Sequence, residues 1–258
     1  MVIGLQTFTI RKYQKKDIEK AYLPLIELGI KDLEISRIKF NQENAKTIKN
    51  LVDKYGINVV AIQVKPKDVF GHIDEVVNFC KVTGCKNVVI SMLPFSCILG
   101  TEKKFYNFLD TLDKYYDTYK AHGIELAYHN HDWEYVVLSN GKMRMDELLE
   151  RTHKIKFVLD TYWTTKAGVP ADVQIQQLKT RLLGIHLRDL MNYKRGLKVF
   201  TKNAVIGEGV VDIRKVLIEG EKVGCEYYAI ELKTDTPYEE IKTSYHNCMK
   251  IKDSCEER

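Results

Sequence analysis

Eight short runs of mainly aliphatic and β-branched residues recur along this 258-residue chain, and amphipathic segments separate them. Strands that alternate with helices of this length predict βαβ units with parallel pairing. Three of the intervening segments, DIEKAYLPLIELG, NAKTIKNLVDKYG and HIDEVVNFCKVTG, end at a glycine that can cap a helix. The candidate strands are VIGLQTF, DLEIS, NVVAIQV, NVVISML, IELAYH, KFVLDTYW, LLGIHLRD and YYAIEL.

The number of these units favours one architecture. Eight strands, each with a following helix, predict a single-domain α/β fold of the (β/α)8 TIM barrel type, which typically needs about 250 residues. An open, doubly wound sheet has the same local pattern and stays an alternative. We expect the barrel to occupy residues 1–250, with residues 251–258 as a frayed C-terminal tail.

Composition and charge argue against several classes of protein. Hydrophobic residues make up 45% and charged residues 29% of the chain, enough for a large core and a soluble surface. The basic excess, 40 − 35 = 5, is spread along the chain, so nucleic acid is not an expected partner. The least polar run, NVVISMLPFSCILG, is too short for a membrane span, and no signal-peptide pattern is present. The six cysteines form no C-x-x-C pair, so we expect reduced thiols and a cytoplasmic location.

Polar residues gather late in the candidate strands or just after them. In a barrel the carboxyl ends of the strands meet at one mouth, where polar side chains indicate chemistry because burying them in mid-strand is costly. One histidine there is more often a core or rim residue, and a lone Glu or Gln can be a rim residue or helix cap. The prediction of a site therefore depends on the whole set, which is Gln6, Glu34, Gln63, His129, His131, Glu134, Asp160, His186 and Glu231.

Strand alternation singles out three of these residues as inward-facing. Each lies two positions after a small or aliphatic residue on the same face of its strand. An aspartate, a histidine and a glutamate that converge in a water-poor interior predict a divalent-cation site. Carboxylates favour Mg²⁺ or Mn²⁺, and the imidazole also admits Zn²⁺, Co²⁺ or Fe²⁺. The pairs are Val158 with Asp160, Gly184 with His186, and Ala229 with Glu231.

An ordered set of motifs resembles one known family. The set is GLQTFTIR, YHNHDWEY, FVLDTYW followed by AGVP, IHLRD, GEGVVDI and IEL, and it extends over almost the whole chain. In this order it resembles the sugar phosphate isomerase/epimerase group of the xylose isomerase-like TIM-barrel superfamily. The resemblance implies an enzyme that holds one divalent metal ion with two glutamates, an aspartate and a histidine from the last four strands.

The resemblance implies three of these ligands directly, namely Asp160, His186 and Glu231. The remaining ligand is open, because no glutamate stands where the fifth strand ends. We expect Glu134, which completes the implied set, with His129 and His131 binding substrate or supporting the ligands. Alternation along the strand instead favours His129, which shares a face with Ala127.

The implied reaction is proton transfer at a carbon next to a carbonyl, through an enediolate that the metal ion stabilises. We expect Glu231 as the base and Glu134, His129 or His131 as its counterpart, an effect typically worth about 10²–10⁴-fold. Two groups on opposite substrate faces give epimerisation, and one group shuttling between adjacent carbons gives isomerisation. Loss of a β-hydroxyl in the same site makes the enzyme a dehydratase.

Substrate contacts are expected from Gln6, Glu34, Gln63, His129, His131, Trp163 and Arg188. Trp163 stands where related epimerases often have a histidine, and its ring either stacks on a sugar face or packs in the core. Arg188 shares the face of His186, and either binds a substrate oxygen or forms a salt bridge at the rim.

Two long connections, 93–104 and 190–212, are expected to form walls or lids over the mouth. The second contains four basic residues, which either grip a phosphate or form a solvated basic loop. These residues are Lys194, Arg195, Lys198 and Lys202.

Two other classes of function compete with a sugar isomerase. An endonuclease IV-like DNA repair enzyme shares the superfamily, but its metal site depends on many more histidines than the seven in this chain. A non-catalytic sugar-binding barrel follows if His129 replaces a needed carboxylate and no metal binds. The expected partner is a small carbohydrate, and a homodimer is a further expectation.

Overall fold

Parallel strands close a barrel in the computed structural model, which describes residues 1–195 and 198–256. The barrel strands are β1 (Ile3–Gln6), β2 (Asp32–Ser36), β3 (Asn58–Val64), β4 (Asn87–Ile90), β5 (Glu125–His129), β6 (Lys156–Asp160), β7 (Leu182–Leu187) and β10 (Tyr227–Ile230). They pair in this order, and β10 closes the barrel against β1. The closed sheet confirms the predicted single-domain (β/α)8 fold rather than an open sheet.

Helices surround the barrel and bury the apolar faces that the sequence predicts. They are α1 (Arg11–Gln14), α2 (Ile18–Glu27), α3 (Gln42–Tyr55), α4 (Pro66–Gly71), α5 (Ile73–Thr83), α6 (Phe95–Ile98), α7 (Glu102–Lys120), α8 (Arg144–Arg151), α9 (Thr161–Lys166), α10 (Ala171–Leu178), α11 (Ile213–Lys222) and α12 (Pro237–Glu256). The α3 helix shows how local sequence sets these bounds. Asn41 caps its first turn by accepting a hydrogen bond from the N–H of Asn44, and Gly56 ends it in a left-handed conformation.

The barrel interior holds a small second core. Side chains alternate between this interior and the larger layer between strands and helices. Gly184 leaves the room that the Tyr227 ring occupies, because a Cβ at this position would lie 2.4 Å from the ring. The interior residues are Ala61, Val89, Ala127, Val158, Leu183, Tyr227 and Ala229.

The long connection 190–212, which was predicted to be a loop, contains most of an antiparallel hairpin. Its strands are β8 (Asp189–Arg195) and β9 (Lys198–Ala204). Residues 196–197 and the side chains of Arg195 and Lys198 lie outside the described residues, so neither alternative for these basic residues, a phosphate grip or a solvated loop, is tested there. The buried Asp189 accepts hydrogen bonds from the N–H groups of Gly207, Gly209 and Val211. This carboxylate holds the chain after the hairpin against the barrel.

The C-terminal segment differs from the expected frayed tail. Residues 251–256 continue the helix α12, and Arg214 on α11 donates a hydrogen bond to the carbonyl of Ser254 at 3.1 Å. Residues 257 and 258 are outside the described residues. No helix in the described part of the chain is long and apolar enough to cross a membrane.

Candidate metal centre and active site

Four buried side chains converge at the carboxyl ends of neighbouring strands. One ligand-competent atom of each lies within 4.8 Å of the corresponding atom of every other. The register explains this, because Asp160 on β6 is level with His186 on β7, and His186 is level with Ala229 on β10. The four are His129, Asp160, His186 and Glu231. The structure thus brings Asp160, His186 and Glu231 together, and their role as ligands stays a prediction.

Glu134 lies outside this group, which corrects our expectation that it is the first ligand. The strand ends at His129, and the chain turns into a short 3-10 helix, Asp132–Tyr135. The Glu134 carboxylate turns back toward the wall of the barrel, where it accepts hydrogen bonds from the Tyr128 hydroxyl and, at 2.6 Å, from the His131 N–H. Strand alternation therefore places His129, and not Glu134, at the mouth.

Glu134 is also misplaced for the catalytic role that we expected. Burial raises its pKa to about 7, although the hydrogen bonds from Tyr128 and His131 oppose this shift. It is not among the described residues that line the cavity over the metal group. The geometry makes it a residue that positions His131.

The buried Arg188 guanidinium balances the carboxylates of the group. Arg188 Nη1 lies 2.9 Å from Asp160 Oδ2 and 3.2 Å from Glu231 Oε1. Burial alone would raise the pKa of Glu231, but the charge of Arg188 and the nearby His186 imidazole lower it to about 2. The same arginine lowers the pKa of Asp160 against the effect of burial. Both carboxylates are therefore ionised at neutral pH.

Glu34 lies behind His186, away from the cavity where we expected it to contact substrate. Both of its carboxylate oxygens lie 2.9 Å from His186 Nε2, and the Tyr227 hydroxyl donates to it at 2.7 Å. It is fully buried. A carboxylate on one ring nitrogen of a histidine orients the ring and leaves the other nitrogen for a metal. Here that nitrogen is His186 Nδ1, which faces Glu231 Oε2 at 3.1 Å.

Gln6 is likewise buried and positions its neighbour rather than contacting substrate. Its amide oxygen accepts hydrogen bonds from Ser36 Oγ and the Phe8 N–H, and its amide nitrogen donates to Gln63 Oε1 at 3.0 Å. Gln63 lines the cavity, as we expected of a substrate-binding residue. Within the described residues its amide nitrogen donates no hydrogen bond, so it is free to bind a ligand oxygen.

An aromatic wall stands beside the metal group. The His131 ring stacks on Trp133 with centroids 5.3 Å apart and lies at the same distance from Trp163. Burial and the neighbouring His129 lower the pKa of His131 to about 3, so its imidazole is neutral. His131 and Trp163 both line the cavity. Both side chains thus face the cavity, and their contact with substrate stays a prediction.

Several buried nitrogen atoms at the mouth have no hydrogen-bond partner among the described residues. Buried polar atoms are nearly always satisfied in folded proteins, so an unpaired set of this kind indicates a missing ligand. The donor set also fits a divalent cation, because two imidazoles and two ionised carboxylates supply four suitable atoms. The unpartnered atoms include His129 Nδ1 and Nε2, His131 Nδ1, Trp163 Nε1 and His186 Nδ1.

A cavity of about 830 Å³ opens above the group. The expected site residues on its lining are Gln63, His129, His131, Trp163, Arg188 and Glu231. Leu93, Pro94 and Phe95, from the connection that we expected to form a wall, also line it. No described lining residue comes from the connection 190–212. Three lining residues were missed: Phe8, which is the last residue of the first candidate strand, and Arg37 and Lys65, each of which directly follows a candidate strand.

The chain matches the sequence profile of the xylose isomerase-like TIM barrel family over residues 23–245. It belongs to that family. An inosose dehydratase of Mesomycoplasma hyopneumoniae is 31% identical over 149 residues, which are 51% of this chain and 47% of that protein. The alignment thus spans only about half the length of this curated relative.

Solved structures share the fold at low sequence identity. A sugar phosphate isomerase/epimerase from Parabacteroides distasonis superposes with a TM-score of 0.78 at 18% identity, over 95% of this chain and 94% of that one. An L-ribulose 3-epimerase gives 0.74 at 12% identity, over 100% and 96% of the two chains. The IolI protein, whose structure contains a zinc atom, gives 0.66 at 16% identity, over 99% and 98%.

Proposed function

We propose that this protein is a divalent-metal-dependent isomerase or epimerase of a small sugar, polyol or sugar phosphate, and that it moves a proton on a carbon next to a carbonyl. The observation that carries this proposal is the buried group of His129, Asp160, His186 and Glu231 under an open cavity. The match to the xylose isomerase-like TIM barrel family supports the same class of reaction.

The four grouped side chains would hold the metal ion. Bound there, a divalent cation acts as a Lewis acid that polarises a carbonyl oxygen and lowers the cost of removing the neighbouring proton. Because His129 takes the place that we expected for Glu134, the donor set has two imidazoles. This set favours Mn²⁺, Co²⁺, Fe²⁺ or Zn²⁺ over Mg²⁺, which prefers an all-oxygen shell.

The proton-transfer groups in this proposal are Glu231 and His131, two of the expected catalytic residues, and their position on the cavity lining supports the assignment. Glu231 is ionised and is held between Arg188 and His186. His131 is a neutral imidazole whose Nδ1 has no partner among the described residues, so it can accept a proton or donate one after protonation. Glu134 holds the backbone of His131 in place.

Neighbouring side chains would orient the substrate. Trp163 presents an apolar ring and an unpartnered indole N–H, which suit the face and a hydroxyl of a sugar. Arg188 points one guanidinium nitrogen at both carboxylates, and its Nε has no partner in the described part of the chain. A substrate oxygen at this Nε would lie beside the reacting carbon.

The test is a screen of ketoses, aldoses and inososes in D₂O with protein loaded with Mn²⁺ or Co²⁺. We expect deuterium to enter the carbon next to the carbonyl of at least one compound, detected by NMR. The Lys46→Gln variant, changed on the exposed face of α3, should exchange at the wild-type rate. Absence of exchange from every compound, with metal bound, would contradict the proposal.

A dehydratase is the second candidate, favoured by the 31% identical inosose dehydratase. The same two proton-transfer groups would remove a proton and return it to a leaving β-hydroxyl. Incubation of an inosose with the protein separates the two reactions, because only dehydration forms a conjugated product with ultraviolet absorbance. We propose that the substrate is a small carbohydrate and that the protein is cytoplasmic.

A further inference from the structure

The cavity over the metal group has an excess of positive charge on its lining. Among the described lining residues five carry a positive charge and only Glu231 carries a negative one. Arg188 is paired with Glu231 and Asp160, and Lys67 lies 3.9 Å from Asp68. The three others have no carboxylate within 4.0 Å in the described part of the chain. They are Arg37, Lys65 and Lys233.

These three cations occupy one arc of the barrel mouth. Arg37 follows β2, Lys65 follows β3 and Lys233 follows β10, and β10, β1, β2 and β3 are consecutive around the sheet. A second cavity of about 1000 Å³ shares Arg37, Gln63 and Lys65 with the first. Its other described charged lining residues are of both signs, namely Lys15, Lys16, Lys39, Lys67, Asp17, Glu19, Glu43, Asp68 and Glu75. Arg37 and Lys65 thus lie where the two cavities meet.

Arg37 is held in its place by an unusual backbone. Its φ is 61°, a left-handed conformation that is uncommon outside glycine and that persists only where the surroundings impose it. The preceding Ser36 supplies the constraint. Its N–H donates to Thr7 Oγ1, its hydroxyl donates to Gln6, and its carbonyl accepts from the Gln14 amide. The network fixes the point at which the Arg37 side chain leaves the strand.

Phe8 then supports the arginine side chain. The Arg37 guanidinium lies 5.1 Å from the Phe8 ring centroid, and the guanidinium of Arg11 lies 4.0 Å from the same ring. Burial and the nearby charge of Arg37 lower the pKa of Arg11. The two arginines thus concentrate positive charge around Phe8, which itself lines the cavity.

We infer that the substrate carries an anionic group, a phosphate or a carboxylate, which Arg37, Lys65 and Lys233 bind at one end of the cavity while its carbonyl end lies at the metal group. This inference rests on the proposed function, since it assigns the substrate class of the same site. Guanidinium groups bind phosphate and carboxylate oxygens with paired hydrogen bonds, and unpaired ones at a cavity are free to do so. Gln63, between the two ends, offers its free amide nitrogen to a substrate hydroxyl.

Calorimetric binding measurements on Mn²⁺-loaded and metal-free protein test the inference. The probes are D-ribulose 5-phosphate against D-ribulose, and 2-keto-D-gluconate against D-fructose, so that phosphate and carboxylate are examined separately. We expect the charged member of at least one pair to bind at least about tenfold more tightly at low salt, with the preference reduced by salt. Equal binding of both members in each pair, or binding of neither, overturns the inference.

Variants locate the anion site. The double variant Arg37→Gln/Lys65→Gln should lose the preference, and Arg37→Lys should retain part of it. Arg37→Gly, which suits the left-handed backbone, should also lower the preference while the protein stays folded. Lys46→Gln, remote from the mouth, should bind as the wild type does. A preference that survives Arg37→Gln/Lys65→Gln, or that disappears in Lys194→Gln/Lys202→Gln on the hairpin, overturns the assignment.

The deuterium exchange and the binding preference test the proposed function and this inference separately. Deuterium exchange without any preference for the charged probe would refute the anion site and leave the isomerase. A preference without exchange from any sugar would refute the isomerase and leave the anion site.

Discussion

The two halves of the barrel mouth are built on different principles, although they share one cavity. At the ends of β5, β6, β7 and β10 the charged groups are buried and neutralise one another at distances of about 3 Å, as Arg188 does with Asp160. Beyond β2 and β3 the charged groups are exposed, and Arg37 and Lys65 have no opposite charge among the described residues. A rigid, charge-balanced half suits chemistry, and an open, unbalanced half suits recognition of a charged ligand.

The largest expected effect comes from removing a ligand in the charge-balanced half. Asp160→Asn keeps an oxygen to cap α9 at the Trp163 N–H but removes a negative charge from the group. Bound metal, measured by mass spectrometry after dialysis, should fall to near zero. Deuterium exchange should drop roughly 10²-fold or more, since even residues behind a ligand are worth about 10–100-fold. Full metal content in this variant would show that Asp160 is not needed to bind the metal ion. It would contradict the proposed difference between the two halves of the barrel mouth.

A smaller loss of metal affinity is expected from a change at Glu34, which lies behind the proposed ligand His186. Glu34→Gln removes the carboxylate that orients His186, so metal affinity should fall about 10–100-fold in a metal titration. Tyr227→Phe, which removes only the other hydrogen bond to Glu34, should cost less. Equal effects of the two variants would mean that the charge of Glu34 is unimportant.

Glu134 provides a test of which residue completes the metal group. Glu134→Gln keeps one oxygen, which can accept a hydrogen bond from either the Tyr128 hydroxyl or the His131 N–H, but it loses the other bond. Deuterium exchange should slow by about tenfold, which corresponds to the free energy of about one hydrogen bond. Its metal content should equal that of the wild type. His129→Ala should instead lose the metal. If the results are reversed, the ligand assignment from strand alternation is wrong.

The smallest effect concerns the stability of the recognition half. Arg37→Gly should raise the free energy of unfolding by roughly 0.5–1 kcal/mol, because relief of the left-handed strain exceeds the entropy cost of glycine. Arg11→Gly is the control, since Arg11 lies over the same ring but has an ordinary φ of −53°. Denaturant titration should show this variant destabilised. A destabilised Arg37→Gly would show that the arginine contributes to folding rather than to recognition.

Strand positions followed from the sequence with little error. The run NVVAIQV is β3 over its full length, and DLEIS is β2. The run KFVLDTYW was too long, because Asp160 ends β6 and caps the helix that follows with its own side chain. Hydrophobic alternation predicts where a strand lies, and a capping side chain decides where it stops.

The polar set was correct in position and only partly correct in role. Glu34 and Gln6 were expected to contact substrate, but they lie one layer deeper and hold His186 and Gln63. The residues that line the cavity and those that hold them from behind are of the same types and both lie at strand ends. Local sequence therefore does not distinguish a residue that contacts substrate from one that positions it. Depth depends on side chains from other strands, such as the Tyr227 ring beneath Glu34.

The sequence by itself determined the barrel and the convergence of Asp160, His186 and Glu231, because strand period and register follow from hydrophobic pattern. Only the tertiary structure decided between His129 and Glu134. The chain turns after β5, and the direction of the Glu134 side chain is set by a hydroxyl and a backbone N–H that compete for its carboxylate. The basic arc of Arg37, Lys65 and Lys233 also became visible only when three distant loops were brought to one cavity.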